Sequence, residues 1–109
     1  TFFSFGINVS LRFAKVHKIM ISKTPKPPYY AVIFTSLRTD LEEGYDKTAD
    51  RMVELAKEQK GFLGMETART EIGITISYWK TLEDIHIWKN NEEHKAAQKN
   101  GKDKWYAAY

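Results

Sequence analysis

The chain has 109 residues, 42% of them hydrophobic and 14% aromatic, which is enough for one domain with one modest core. It contains no cysteine, so disulfides, thiolate catalysis, cysteine-bound zinc and iron–sulfur clusters are excluded. The net charge is +3, but the first nineteen residues hold three of the 17 basic residues and no acidic one. The remaining charges balance and are interspersed, which argues against a nucleic-acid partner.

Residues 1–19 resemble neither a membrane span nor a secretion signal. No apolar run in the whole sequence approaches the ~20 residues of a span, and residues 1–19 lack a basic start and a small-residue cleavage site. We therefore expect a cytoplasmic protein with no membrane partner. We divide it into an N-terminal strand segment, residues 1–19, which is added or permuted, and a domain over residues 20–109.

Two strands are predicted first. The stretch "FSFGINVSLRF" (3–13) alternates apolar and polar residues and predicts a half-buried strand. A proline-stiffened connection, residues 22–28, leads to "YYAVIFTS" (29–36). This second stretch is apolar on both faces, which is typical of a central strand covered on both sides.

A helix is predicted next. Asp40 and Glu43 have the spacing of a capping box at its start, and Gly61 would end it. An apolar stripe at helical spacing runs along it: Tyr45, Ala49, Met52, Val53 and Ala56.

The second half of the chain predicts two strands, 62–70 and 73–80, around a short turn, and then a helical region from Leu82. Asn90 can cap a fresh helix, with Glu93 three residues on, so we expect the helical region to break there. An unbroken helix would put His94 almost opposite Trp88, and the break resets that relation. Gly101 would end the second helix, and residues 104–109 begin an extended segment.

The order of these elements from Tyr29 onward predicts a ferredoxin-like α+β fold, an antiparallel sheet with helices on one face. The other face still carries apolar side chains that a chain of this size cannot cover. We therefore predict a homodimer formed through the sheet face.

The pieces "YYAVIFTS", "GY…A.RM..LA", "GFLGMETAR", "GITISYW" and "WK…EH..AQ..G…WY..Y" together resemble the antibiotic biosynthesis monooxygenase (ABM) family. Within it they look most like the small bacterial subgroup related to heme-degrading monooxygenases. The resemblance covers about residues 29–109. It implies a dimeric ferredoxin-like α+β barrel, in agreement with the fold predicted from the residues.

The chain departs from that subgroup at its end. The subgroup normally continues into a last strand, whereas this sequence stops at Tyr109. Residues 9–18, "VSLRFAKVHK", look like that strand displaced to the front. Two interpretations stay open: a circular permutation, or a fused or upstream-translated tail that adds a strand.

The resemblance also implies a chemistry. ABM-type oxygenases need no metal or flavin of their own, because an aromatic or polycyclic substrate supplies the electrons to oxygen. Trp88 falls at the position of a tryptophan that presses on heme in the heme degraders. Its role here would be a wall of the ligand pocket or part of the core.

The heme-ligating histidine of that branch is replaced by Gln98, and its first-strand asparagine falls near Ser36. His94, one turn before Gln98, could substitute as ligand or base. Our leading hypothesis is thus a cofactor-independent monooxygenase for a small aromatic or polycyclic substrate, with Trp88, His94, Gln98 and Ser36 at its site and no metal. The alternatives are a heme-binding or heme-degrading monooxygenase with His94 as ligand, and a non-catalytic dimeric binding module.

Overall fold

A computed structural model of the chain describes residues 21–109. The strand predicted at 3–13, and the whole segment 1–19, lie outside the described residues. The elements in chain order are β1 Tyr30–Arg38, α1 Tyr45–Lys57, β2 Phe62–Arg69, β3 Ile72–Trp79, α2 Leu82–Lys89, α3 Glu92–Asn100, a π-helical turn Gly101–Trp105, and β4 Tyr106–Ala108. No helix in this described part is long and apolar enough to cross a membrane.

The four strands form one open antiparallel sheet in the order β2-β3-β1-β4. The predicted ferredoxin-like α+β architecture is therefore confirmed, with β1 and β3 at the centre. Alternation along β3 puts Thr75, Ser77 and Trp79 on one face, and this is the face that the helices cover, since Trp79 stacks on Trp88. The opposite side of the sheet carries four exposed aliphatic side chains, which we call the bare face: Ile33, Leu37, Ile72 and Ile74.

The core lies between the helices and one end of the sheet. Its buried members are Leu55, Ala56, Trp79 and Trp88, with Val32, Met52, Phe62, Met65 and Ile85 packed against them. Trp79 is fully buried, and its indole nitrogen donates a hydrogen bond to the Ser77 hydroxyl at 2.9 Å. Trp79 therefore anchors the core, while Leu55 was missing from the predicted apolar stripe of α1.

The predicted ends of α1 are wrong. The helix starts at Tyr45 behind Gly44, whose φ of 81° is left-handed, and no side chain caps it. Asp40 and Glu43 precede this start, in a turn in which the amide of Tyr45 donates to the carbonyl of Glu42. A residue with left-handed backbone angles cannot continue a right-handed helix. Gly44 therefore leaves Asp40 and Glu43 outside the helix. The helix ends at Lys57, four residues before Gly61, and a turn over residues 58–61 follows it directly.

The predicted break between α2 and α3 is confirmed, one residue later than expected. Asn90 ends α2, and Asn91 caps α3 by accepting a hydrogen bond from the amide of His94. Thr81 caps α2 in the same way, accepting from the amide of Asp84. Asparagine and threonine favour such positions because their oxygens satisfy amides that the first helical turn leaves open.

The C-terminal end differs from the prediction in one detail. Gly101 does not end the helical path, because a π-helical turn carries it on to Trp105. β4 then pairs antiparallel with the last two residues of β1, Leu37 and Arg38. β4 thus lies beside the end of β1, and the permutation stays a prediction.

Candidate functional site

The helix-covered face of the sheet is packed at one end and open at the other. Phe34 shares this face with the core residue Val32, yet its side chain is 37% exposed. A phenylalanine in the middle of a central strand would be covered if the helices extended over it. We call this part of the face, lined by Phe34, Ser36, Arg69 and Tyr106, the open end of the sheet.

A row of three residues crosses the open end from β2 to β1. Arg69 pairs with Gly73 on β3, and Gly73 pairs with Ser36 on β1. Because Gly73 has no side chain, the Arg69 guanidinium lies over it, and a Cβ there would overlap that group. The guanidinium thereby reaches Ser36, donating from Nη2 to the hydroxyl at 2.5 Å and from Nη1 to the carbonyl at 3.5 Å.

Aromatic rings line the other side of the open end. The β4–β1 pairing sets Tyr106 opposite Arg38, and the Tyr106 ring meets Phe34 edge-on at 5.3 Å between centroids. Tyr45 at the start of α1 meets Tyr106 at 6.0 Å and Trp105 at 5.7 Å. Edge-to-face contacts of this kind hold rings in fixed orientations, so the open end has a defined aromatic wall.

At the open end, the Tyr106 phenol stays protonated although two positively charged arginines, Arg69 and Arg38, lie near it. Burial raises the pKa of Tyr106, its hydrogen bond with Tyr45 adds to the shift, and the positive charges of Arg69 and Arg38 oppose it. The phenol therefore keeps its proton at neutral pH. Arg38 is held by the carbonyls of Trp105 and Leu41 and lies 3.4 Å above the Tyr45 ring.

Trp88 and His94 are in contact: Trp88 belongs to the core, and His94 lies at the edge of the core. Trp88 is 7% exposed. Its indole stacks with the indole of Trp79, with ring centroids 5.8 Å apart, and with the imidazole of His94, with centroids 4.0 Å apart. His94 Nδ1 lies 3.1 Å from the carbonyl oxygen of Trp88. A carbonyl only accepts, so Nδ1 carries the proton, and Nε2 is the free nitrogen of the neutral ring.

Burial lowers the pKa of His94 below its ordinary value, and the hydrogen bond to Trp88 partly opposes that shift. The imidazole is therefore neutral at pH 7. Within the described residues, neither His94 nor Trp88 makes a hydrogen bond or a ring contact with Ser36. Gln98 is exposed on α3. Of the four predicted site residues, the structure brings Trp88 and His94 into contact. Ser36 lies with Arg69 at the open end, and the exposed Gln98 lies one turn after His94 on α3.

Sequence reasoning missed Arg69, Gly73 and Phe34 as members of a site. The alternation Met65, Thr67, Arg69 along β2 puts the three side chains on one face, and the packing of Met65 against the core identifies it as the helix side. What the sequence does not give is the register that sets Gly73 between Arg69 and Ser36. Residues 21–109 contain no group of three His, Asp or Glu side chains arranged to hold a metal ion.

Comparison with known proteins places the chain in a family. The antibiotic biosynthesis monooxygenase model matches residues 28–100. The chain belongs to the antibiotic biosynthesis monooxygenase family. The matched region holds Phe34, Ser36, Arg69 and Gly73, and it ends before Tyr106.

One similar sequence and two similar solved structures are consistent with membership of the ABM family. The chain is 50% identical over 91 residues to the uncharacterized protein YqjZ of Bacillus subtilis, covering 82% of this chain and 80% of that protein. Two solved structures carry the family's name. One, from Nitrosomonas europaea, has a TM-score of 0.63 at 16% identity and covers 74% of this chain and 81% of its own. The other, from Chloroflexus aurantiacus, has a TM-score of 0.57 at 19% identity and covers 74% and 84%. At such identities these structures support the ABM fold alone.

Proposed function

We propose that this ABM chain is a monooxygenase that needs no cofactor and oxidises a small aromatic substrate bound at the open end of the sheet. The observation that carries the proposal is the 37% exposure of Phe34 on the face that the helices cover. Together with the Tyr106 ring, it offers an apolar wall for a flat ligand, with few polar groups beside it, as small-molecule sites usually have.

The chemistry requires no bound metal or flavin when the substrate is electron-rich. In an anthrone, the ring CH2 becomes C=O, one atom of O2 enters the carbonyl, and the other leaves as water with the two hydrogens. The substrate supplies all the electrons. The protein would hold the ring against Phe34, and the protonated Tyr106 phenol would donate a hydrogen bond to a substrate oxygen.

Oxygen uptake with a panel of hydroquinones and anthrones tests the proposal. Phe34→Ala should lower kcat/KM by about tenfold or more, a loss of about 1.4 kcal/mol of transition-state binding, while circular dichroism stays unchanged. Ile87→Ala is the matched control, since Ile87 is 50% exposed on α2, away from the open end. If the wild-type protein takes up no oxygen with any compound of the panel, the result would favour the non-catalytic binding module.

A homodimer through the bare face belongs to the same proposal. Ile33 is 66% exposed, Ile72 53%, Ile74 43% and Leu37 41%, and all four lie on the side of the sheet without helices. Neighbouring exposed aliphatic side chains of this kind mark association surfaces. A second copy supplies the same surface, which makes a two-fold pair the simplest occupant.

Heme binding is the second candidate, and one observation favours it. Histidines that ligate metals usually donate their other ring N–H to a carbonyl or carboxylate, and His94 donates Nδ1–H to Trp88. A Soret shift on adding heme, lost in His94→Ala and kept in His86→Ala, would support this candidate. His86 is the matched control because it is exposed on α2. An unshifted Soret band at micromolar heme would remove it.

A further inference from the structure

Arg69 differs from the other two arginines of residues 21–109. Arg38 has an ion pair with Glu42 at 3.5 Å, and Arg51 lies close to three glutamates, Glu54, Glu58 and Glu93. Within the described part of the chain, Arg69 pairs with no carboxylate. Residues 1–20 contain no aspartate or glutamate, so they offer no acidic side chain for it either.

The surroundings of Arg69 fix its position without neutralising its charge. It is half-buried, and its hydrogen-bond partners are the neutral hydroxyl and carbonyl of Ser36. A guanidinium has five N–H donors, so several remain for another acceptor. The positive charge of Arg69 acts on the open end: it lowers the pKa of Tyr106, although burial of the phenol raises that pKa by more.

We propose that the open end of the sheet binds aromatic anions, with the ligand's ring against Phe34 and Tyr106 and its carboxylate or phenolate oxygen at Arg69. A guanidinium matches a carboxylate with two parallel hydrogen bonds. The flanking rings favour a flat apolar body over a hydrated ion such as phosphate. This inference deepens the proposed function, on whose site it rests, by naming the substrate class.

The fixed orientation of the guanidinium supports binding over simple solvation. A surface arginine keeps its long side chain mobile in water, and ordering that side chain costs conformational entropy. Here the glycine at position 73 leaves room for the guanidinium, and Ser36 holds it on the sheet. The donors are therefore already in place before a ligand arrives, which favours affinity.

The test compares two ligands of similar shape, 2-naphthoate and 2-naphthalenemethanol, by isothermal titration calorimetry. The wild-type protein should bind the anion about tenfold or more tightly than the alcohol. Arg69→Met should remove this preference and leave the weaker binding of the alcohol unchanged. Arg51→Met is the matched control and should keep the preference, because Arg51 is occupied by Glu93.

Two results would overturn the inference: equal binding of the two ligands by the wild-type protein, or a preference that survives in Arg69→Met with its circular dichroism intact. Ser36→Ala provides a second variant with milder risk to folding. It should weaken the preference, since the guanidinium loses its acceptor, and an undiminished preference would count against the role given to Ser36 in the site.

Failure of this inference and failure of the monooxygenase proposal are distinguishable. Preferential naphthoate binding without oxygen uptake on any substrate would support the anion site and reject the enzyme. Oxygen uptake on neutral anthrones, with no preference for naphthoate, would support the enzyme and reject the anion site.

Discussion

The imidazole of His94 lies flat against the indole of Trp88, with the ring centroids 4.0 Å apart and the planes 15° apart. The contact joins α3 to α2 across the break at Asn90 and Asn91. Trp88 also stacks with Trp79 of β3, so the three rings connect the sheet to both helices of this region.

Trp88→Ala should destabilise the protein by about 3–5 kcal/mol, the usual cost of removing a large buried aromatic side chain. The variant loses both ring stacks and leaves a cavity in the core. Urea unfolding followed by circular dichroism measures the change. Ile87→Ala, on the exposed side of the same helix, should stay within about 0.5 kcal/mol of the wild type. Equal losses for the two variants would contradict the core position of Trp88.

His94 should make the fold less stable in mild acid. Its folded pKa is lowered, mainly by burial. Between about pH 6.5, the ordinary histidine value, and that lower pKa, the unfolded chain binds a proton that the folded chain does not. The free energy of unfolding therefore falls as the pH falls through this window. The stability difference between pH 7.5 and pH 5.5, about one unit either side of the ordinary value, should be smaller in His94→Phe. The phenyl ring keeps a stack on Trp88 without a titrating group.

Gly61→Ala should cost more stability than Gly44→Ala. Both glycines have left-handed φ angles, 83° and 81°, and an L side chain there costs about 1–2 kcal/mol. At Gly61 the added Cβ would also strike the buried side chain of Asp84, whereas at Gly44 the nearest atom, in Trp105, is 3.4 Å away. Thermal unfolding of the two variants checks the order. The reverse order would show that Asp84 moves aside at little cost.

Ile33→Asp should convert the proposed dimer to monomers. Ile33 is 66% exposed at the centre of the bare face, and a carboxylate buried there without a partner would be costly. Sedimentation equilibrium gives the mass directly. Ile87→Asp places the same charge at an exposed isoleucine on α2 and should leave the dimer intact. A wild-type protein that stays monomeric at high concentration would refute the sheet-face interface.

The fold followed from patterns that each occupy one short stretch. The order of the elements from Tyr29 onward indicated the architecture, and Asn90 marked the break between α2 and α3. The start of α1 was placed wrongly because Asp40 and Glu43 imitate a capping box, and the left-handed backbone of Gly44 cannot be read from composition alone.

The candidate site depended on relations between distant residues, which the sequence does not contain. Counting along a helix could not settle how His94 meets Trp88, because the break changes the helix direction. The Arg69–Ser36 contact joins residues 33 positions apart. It exists only because the register puts Gly73 between them, and no local pattern encodes that register.

The open end and the bare face, the two candidate binding surfaces of the chain, lie on opposite sides of the sheet. The open end, with Arg69 and Phe34, lies on the helix side, while Ile33 and its neighbours lie on the reverse. The side chains of the two surfaces point away from each other, because successive residues along a strand alternate between the faces of the sheet. A small molecule bound on one side would not compete for space with a second copy on the other, so ligand affinity at the open end should be independent of the association proposed for the bare face.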